Sequence, residues 1–120
     1  MFFRAIALVH DLKRDALDMK QAIVAGDMRT IVEILDRSWK AKKATSKSIS
    51  NPCLEALSTV ARENGARAGK VPGAGGGGYM MFIADPNDKP RLIRALEGAG
   101  GTPDKIVFTH TGVESWLLPE

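Results

Sequence analysis

The residues whose types and spacing are best suited to chemistry lie in one run, Gly73-Ala74-Gly75-Gly76-Gly77-Gly78, which holds five of the chain's twelve glycines. Successive amides unobstructed by side chains form a concave anion site, a nest, where phosphate oxygens sit close to the backbone. Lys70 precedes the run and adds a point charge. The letters also match GxGxxG, but the dinucleotide fingerprint needs a helix after the glycines. The glycines lead instead into Tyr79-Met80-Met81-Phe82-Ile83-Ala84, a compact apolar strand expected to be buried on both faces. No Gly-Lys-Ser/Thr closes the run, so it is not a P-loop. Two readings stay open: an anion-holding loop between strands, and a hairpin that only turns the chain. Ordinary hairpins use one or two glycines. Ordering five costs backbone entropy that a simple reversal has no use for, which favours the anion site.

Other chemically capable residues are scattered. His10 and His110 are far apart and Cys53 is the one cysteine, so no metal-ligand spacing exists and no metal site is expected. His10 is expected on a helix surface, His110 at a strand end and Cys53 as a packing residue. Trp39 and Trp116 are expected in the core or in packing between domains. Asp85 is chemically able to hold Mg²⁺ but is equally well explained as a cap before Pro86. No residue is singled out as catalytic.

Composition bounds the function classes. With 44% hydrophobic and 26% charged residues, the 120-residue chain is globular and of one-domain size, which excludes wholesale disorder and collagen-like repeats. Seventeen basic against fourteen acidic residues leave only +3, a small excess for a nucleic-acid binder. The densest basic stretch, Arg37, Lys40, Lys42, Lys43 and Lys47, has Trp39 as its one aromatic, so no nucleic-acid partner is expected. No apolar run is long enough to span a bilayer, and the first residues do not resemble a signal peptide. A single cysteine forms no internal disulfide, which fits the cytoplasm.

The elements that must position the glycine run are legible from periodicity. Ala5, Leu8, Val9, Leu12, Ala16, Met19 and Ile23 recur at helical spacing, and Gly26 ends that helix. Asp27 caps the next, carried by Met28, Ile31, Val32, Leu35 and Trp39. Asn51-Pro52 reads as an N-cap followed by a first-turn proline, and Leu54, Leu57 and Ala61 line a third helix ending at Asn64-Gly65. Residues 66–71 and 79–84 are predicted strands, 90–97 a helix, and 105–109 and 113–118 two more strands. Three helices followed mostly by strands predict α+β. Residues 52–109 have the helix–strand–strand–helix–strand connectivity of a ferredoxin-like split βαβ unit, with helices on one face of the sheet and the leading helices as an added layer.

Gly69-Lys70-Val71-Pro72-Gly73-Ala74-Gly75-Gly76-Gly77-Gly78-Tyr79 resembles the third motif of the GHMP kinases, and within that family the sugar-kinase branch that phosphorylates a heptose 7-phosphate. Supporting stretches are Ser38–Lys43, Ile49–Pro52, Tyr79–Phe82 and Gly112–Trp116. Pro72 stands where many members carry a residue with an amide hydrogen, so that one donor is lost. The resemblance implies a ferredoxin-like C-terminal domain with extra helices. It also implies ATP and Mg²⁺ in the intact enzyme, neither expected to be bound tightly by this chain alone, and a loop, Gly73–Gly78 with Lys70, that faces the transferred phosphate. The second anion, on the sugar phosphate, would fall to Lys40, Lys43 and Lys47 with Ser48, Ser50 and Asn51. The family's Pro-x-x-x-Gly-Leu-Gly-Ser-Ser motif, carried by an N-terminal domain, does not occur in these 120 residues. The expectation is therefore a single C-terminal domain, 1–120, inactive alone. Its face towards the missing domain is expected to expose Met80, Phe108 or Trp116 and to drive homo-oligomerisation. The alternative is a standalone small-molecule-binding or regulatory module on the same scaffold.

Overall fold

The computed structural model describes residues 2–45, 51–73 and 78–119. Its elements run α1 (Phe2–Ala25), α2 (Met28–Thr45), α3 (Pro52–Glu63), β1 (Ala66–Lys70), β2 (Met81–Ala84) and α4 (Lys89–Gly98). Local chemistry at residues 26 and 27 turns α1 back against α2. The amides of Gly26 and Asp27 donate to the carbonyls of Ile23 and Ala22 at 3.1 and 2.9 Å, a Schellman closure that needs the positive φ of +67° at Gly26. Asp27 then caps α2, accepting from the Thr30 amide at 3.1 Å and from its hydroxyl at 2.5 Å. Those bonds hold its carboxyl below the ordinary range.

Between the two helices Ala22 and Ile34 are buried, and an ion pair sets their register. Arg37 of α2 reaches Oδ1 of Asp15 through Nη2 at 2.6 Å and Nε at 3.0 Å. The Asp15 side chain is only 2% exposed. A carboxylate that deep without its partner would cost several kcal/mol, so sliding α2 along α1 is strongly disfavoured.

As the sequence predicts, Asn51 caps α3, accepting from the Leu54 amide at 3.0 Å, with Pro52 in the first turn. The cap turns Leu54 inward, where it meets Trp39 of α2 and Val71 just beyond β1; Met80 packs against this cluster. Helices α2 and α3 lie against β1, and α4 lies against α3. The sheet pairs β1 and β2 antiparallel, with Gly69 opposite Phe82, Lys70 opposite Met81 and an irregularity between Ala66 and Ala68. Phe82 lies across Gly69 so closely that an added Cβ would stand 2.5 Å from its ring. α4 ends in a second Schellman closure, the amides of Gly100 and Gly101 reaching the carbonyls of Glu97 and Leu96 at 3.1 and 2.8 Å.

The α+β class, the four helices and the first two strands match expectation, but the predicted strands at 105–109 and 113–118 do not form. Residues 102–119 are exposed, with Phe108 at 90% and Trp116 at 77%. The described sheet therefore has two strands rather than a full ferredoxin-like four. A strand exists only with a ladder partner, and here neither outer edge of the sheet meets this segment. The chain's radius of gyration, 16.4 Å, exceeds the roughly 14 Å usual for this length, as an outlying segment requires. β2 also differs from expectation. It starts at Met81 and is half-buried throughout rather than buried on both faces, while Tyr79 is exposed.

Candidate functional site

The root of the glycine loop is built by the core. β1 ends at Lys70, and Val71, 1% exposed, inserts beside Trp39 and Leu54. The chain then surfaces at Pro72 and Gly73. On the return side Gly78 and Tyr79 are exposed before Met80 rejoins the core cluster. Gly73 and Gly78 take φ of +73° and +85°. Both ends of the loop are thus anchored on one apolar cluster. Ala74, Gly75, Gly76 and Gly77 lie outside the described residues.

Lys42, near the end of α2, reaches this root. Its Nζ donates to the Val71 carbonyl at 3.3 Å and also to the Gly73 carbonyl. Partial burial, with Lys70 close by, pushes the Lys42 ammonium below the usual lysine range. Two cations thus sit beside the loop entry, Lys70 from β1 and Lys42 from beneath. Lys70 is the one that sequence reasoning points to. Lys42 does not stand out from its basic stretch, although it lies three residues beyond Trp39 and so shares its helix face. A cation one turn beyond a buried tryptophan faces whatever that tryptophan packs on, here Val71.

Of the residues expected to hold a sugar phosphate, Lys40, Lys43 and Asn51 are engaged within the domain. Lys40 pairs with Asp36 at 2.8 Å. Lys43 pairs with Glu55 at 3.1 Å and lies 5.4 Å from the centre of the Trp39 ring. The Asn51 oxygen is taken by the α3 cap. Lys47, Ser48 and Ser50 lie outside the described residues.

His10 is on a helix surface as expected, whereas His110 is exposed but ends no strand. Cys53 is exposed rather than packed. Trp39 is in the core, 3% exposed, but Trp116 is not. Of the residues expected to lie open, Phe108 and Trp116 do, while Met80 is partly buried. Asp85 accepts from Arg67 at 3.4 Å, and its carbonyl takes the amides of Asp88 and Lys89 at 2.9 and 3.2 Å. Among the described residues, no group of three or more His, Cys, Asp or Glu is placed to hold a metal. A shallow hollow of about 380 Å³ between α1 and α2, lined by Asp18, Asp27, Glu33 and Arg37 among others, is predominantly acidic and lies towards the opposite end of α2 from Lys42.

The family model of the GHMP kinases C terminal matches residues 19–101, more than half of the chain. The chain belongs to the GHMP kinase C-terminal family. It is 42% identical over 115 residues to D-glycero-alpha-D-manno-heptose 7-phosphate kinase of Campylobacter jejuni, covering 96% of this chain and 34% of that protein. It is 32% identical over 90 residues to the L-fucokinase/L-fucose-1-P guanylyltransferase of Bacteroides fragilis, covering 74% of this chain and 9% of that one. Mevalonate kinase from methicillin-resistant Staphylococcus aureus superposes with a TM-score of 0.70 at 28% identity, over 81% of this chain and 32% of that structure. The chain spans about a third of the length of the heptose 7-phosphate kinase it matches. The GHMP kinase match stops at Gly101, which completes the Schellman closure of α4, so the exposed segment falls beyond it.

Proposed function

We propose that this GHMP kinase C-terminal domain supplies the phosphate-facing glycine loop of an ATP-dependent sugar-phosphate kinase, a heptose 7-phosphate being the acceptor class. The supporting observation is the loop root itself. Gly73 and Gly78 stand at its mouth in positive-φ conformations, with Lys42 on the Gly73 carbonyl and Lys70 close to Lys42, in a chain 42% identical to a heptose 7-phosphate kinase. Phosphoryl transfer depends mainly on positioning and on neutralising spread negative charge. Backbone amides from Gly73 through Gly78 and the Lys70 ammonium suit that task. ATP brings the phosphoryl group, and Mg²⁺ neutralises charge on it in the intact enzyme. The described residues offer no cluster of metal ligands, so none is assigned to Mg²⁺.

On the acceptor side, Lys40, Lys43 and Lys47 with Ser50 and Asn51 receive the sugar's own phosphate. The Lys40–Asp36 and Lys43–Glu55 pairs do not oppose this, because partly exposed pairs contribute only about 0–1 kcal/mol and yield to a doubly charged ligand. With its oxygen capping α3, Asn51 contributes through its amide nitrogen.

Residues 1–120 act as one domain that completes its active site with a separate nucleotide-binding domain and is inactive without it. The setting is the cytoplasm, with neither nucleic acid nor membrane as partner. Among the described residues no helix is long and apolar enough to cross a membrane.

The test uses the 120-residue chain with MgATP and D-glycero-D-manno-heptose 7-phosphate. No turnover is expected, and measurable phosphorylation would refute the need for a second domain. ATP at a hundredfold excess over its Kd should add about 2.7 kcal/mol of apparent stability, a thermal shift of about ten degrees. Identical melting with and without ATP, and equally with and without tripolyphosphate, would sink the loop reading.

A further inference from the structure

The geometry points to Lys42 as a positioning residue for the phosphate-facing loop, a cation that fixes the loop entry from beneath and leaves contact with the phosphate to the backbone and Lys70. This deepens the loop reading proposed above and rests on it. The inference begins with α2. Trp39 is 3% exposed and packed with Leu54 and Val71, so the core already holds that stretch of α2 against the loop root. Lys42 stands on the same helix face, three residues further on. The β1–β2 ladder ends with the pair Lys70 and Met81. Beyond it, the carbonyls of Val71 and Gly73 turn to Lys42 Nζ instead of to a strand. Pro72 between them has no amide hydrogen, so it gives the root no backbone donor of its own.

The consequence falls on Gly73. Glycine has the widest backbone freedom of any residue, and the direction of its carbonyl is set by ψ. Tying that carbonyl to the ammonium of a half-buried lysine removes, before any ligand arrives, freedom that would otherwise be lost on binding. That is preorganisation, and it strengthens binding without a new contact to the ligand. Burial and neighbouring Lys70 both disfavour charge on Lys42, which suits an ammonium engaged by carbonyls better than one serving as the main phosphate cation.

The experiment compares the full wild-type chain with Lys42→Met, which keeps the stem and removes the donors, and Lys42→Arg, which restores donors. Backbone relaxation, ¹³C at the Gly73 carbonyl and ¹⁵N elsewhere, is measured first without ligand. Lys42→Met should lower the order parameter at Gly73 from the rigid range to below about 0.6, leaving Trp39 and Leu54 unmoved, and Lys42→Arg should restore it. Tripolyphosphate is then titrated. Lys42→Met should bind about tenfold more weakly and Lys42→Arg within about threefold of wild type. Unchanged Gly73 mobility, or equal tripolyphosphate affinity in Lys42→Met, overturns the assignment while the loop reading stands. A wild-type chain that does not respond to tripolyphosphate overturns the loop reading and this inference with it. If Lys42→Met does not fold, Lys42→Leu, which likewise lacks donors, carries the same comparison.

Discussion

Gly69 and Phe82 show how much a single position can decide. A methyl at residue 69 would meet the Phe82 ring at 2.5 Å, in a half-buried sheet with helices behind it. Gly69→Ala should therefore cost about 1–3 kcal/mol, the usual range for overpacking, read as a lower urea midpoint. An unchanged midpoint would mean that Phe82 steps aside freely. Asn51→Ala should cost about 1 kcal/mol through the lost cap, and Asn51→Ser should recover most of it. That pair also separates structure from ligand binding, since a serine cap restores stability without replacing the amide nitrogen assigned to the sugar phosphate. At this scale the sequence is legible where partners are near. Asp27 and Asn51 each cap a residue three positions on. Lys42 is illegible because its partners, Val71 and Gly73, lie 29 and 31 residues away.

Helix α2 is braced along its length by charge. Arg37 ties it to Asp15 on α1, and Asp36 accepts from Lys40 on its own turn and from Arg62 on α3. Burial pushes the Asp36 carboxyl up, but hydrogen bonds from Lys40 and Arg62 outweigh it and hold the group below its ordinary 3.8. As pH falls from about 5, the unfolded chain takes up these protons before the native one does, so stability present at neutral pH is lost on acidification. Asp36→Asn should flatten that loss in urea denaturation between about pH 5 and pH 3; an unaltered slope would count against the brace. The elements themselves track the sequence closely through residue 101, because helix periodicity, caps and glycine stops are local signals. The two later strands do not, because an apolar run such as Ile106-Val107-Phe108 shows that a segment needs cover without naming the surface that provides it. The paired strands succeed because the loop joining them keeps their partner close.

For the whole molecule, the apolar residues beyond the family match, which ends at Gly101, lie open to solvent. Ile106, Phe108, Trp116 and Leu117 are between 67% and 96% exposed. Apolar surface of that extent tends to associate. The isolated chain should form dimers or larger assemblies whose mass by light scattering rises with concentration, and Phe108→Ser with Trp116→Ser should shift it towards monomer. A wild-type monomer at every concentration would overturn this. The placement of the two tryptophans makes the process observable without a label. Trp39 lies in the apolar cluster beneath the loop, and Trp116 stands in water. Iodide should quench the red-shifted emission of Trp116 and spare the blue-shifted emission of Trp39. Covering the C-terminal segment should blue-shift only the quenchable component, whereas loosening the core should red-shift only the protected one, so the chain carries two separate optical reports on association and on packing.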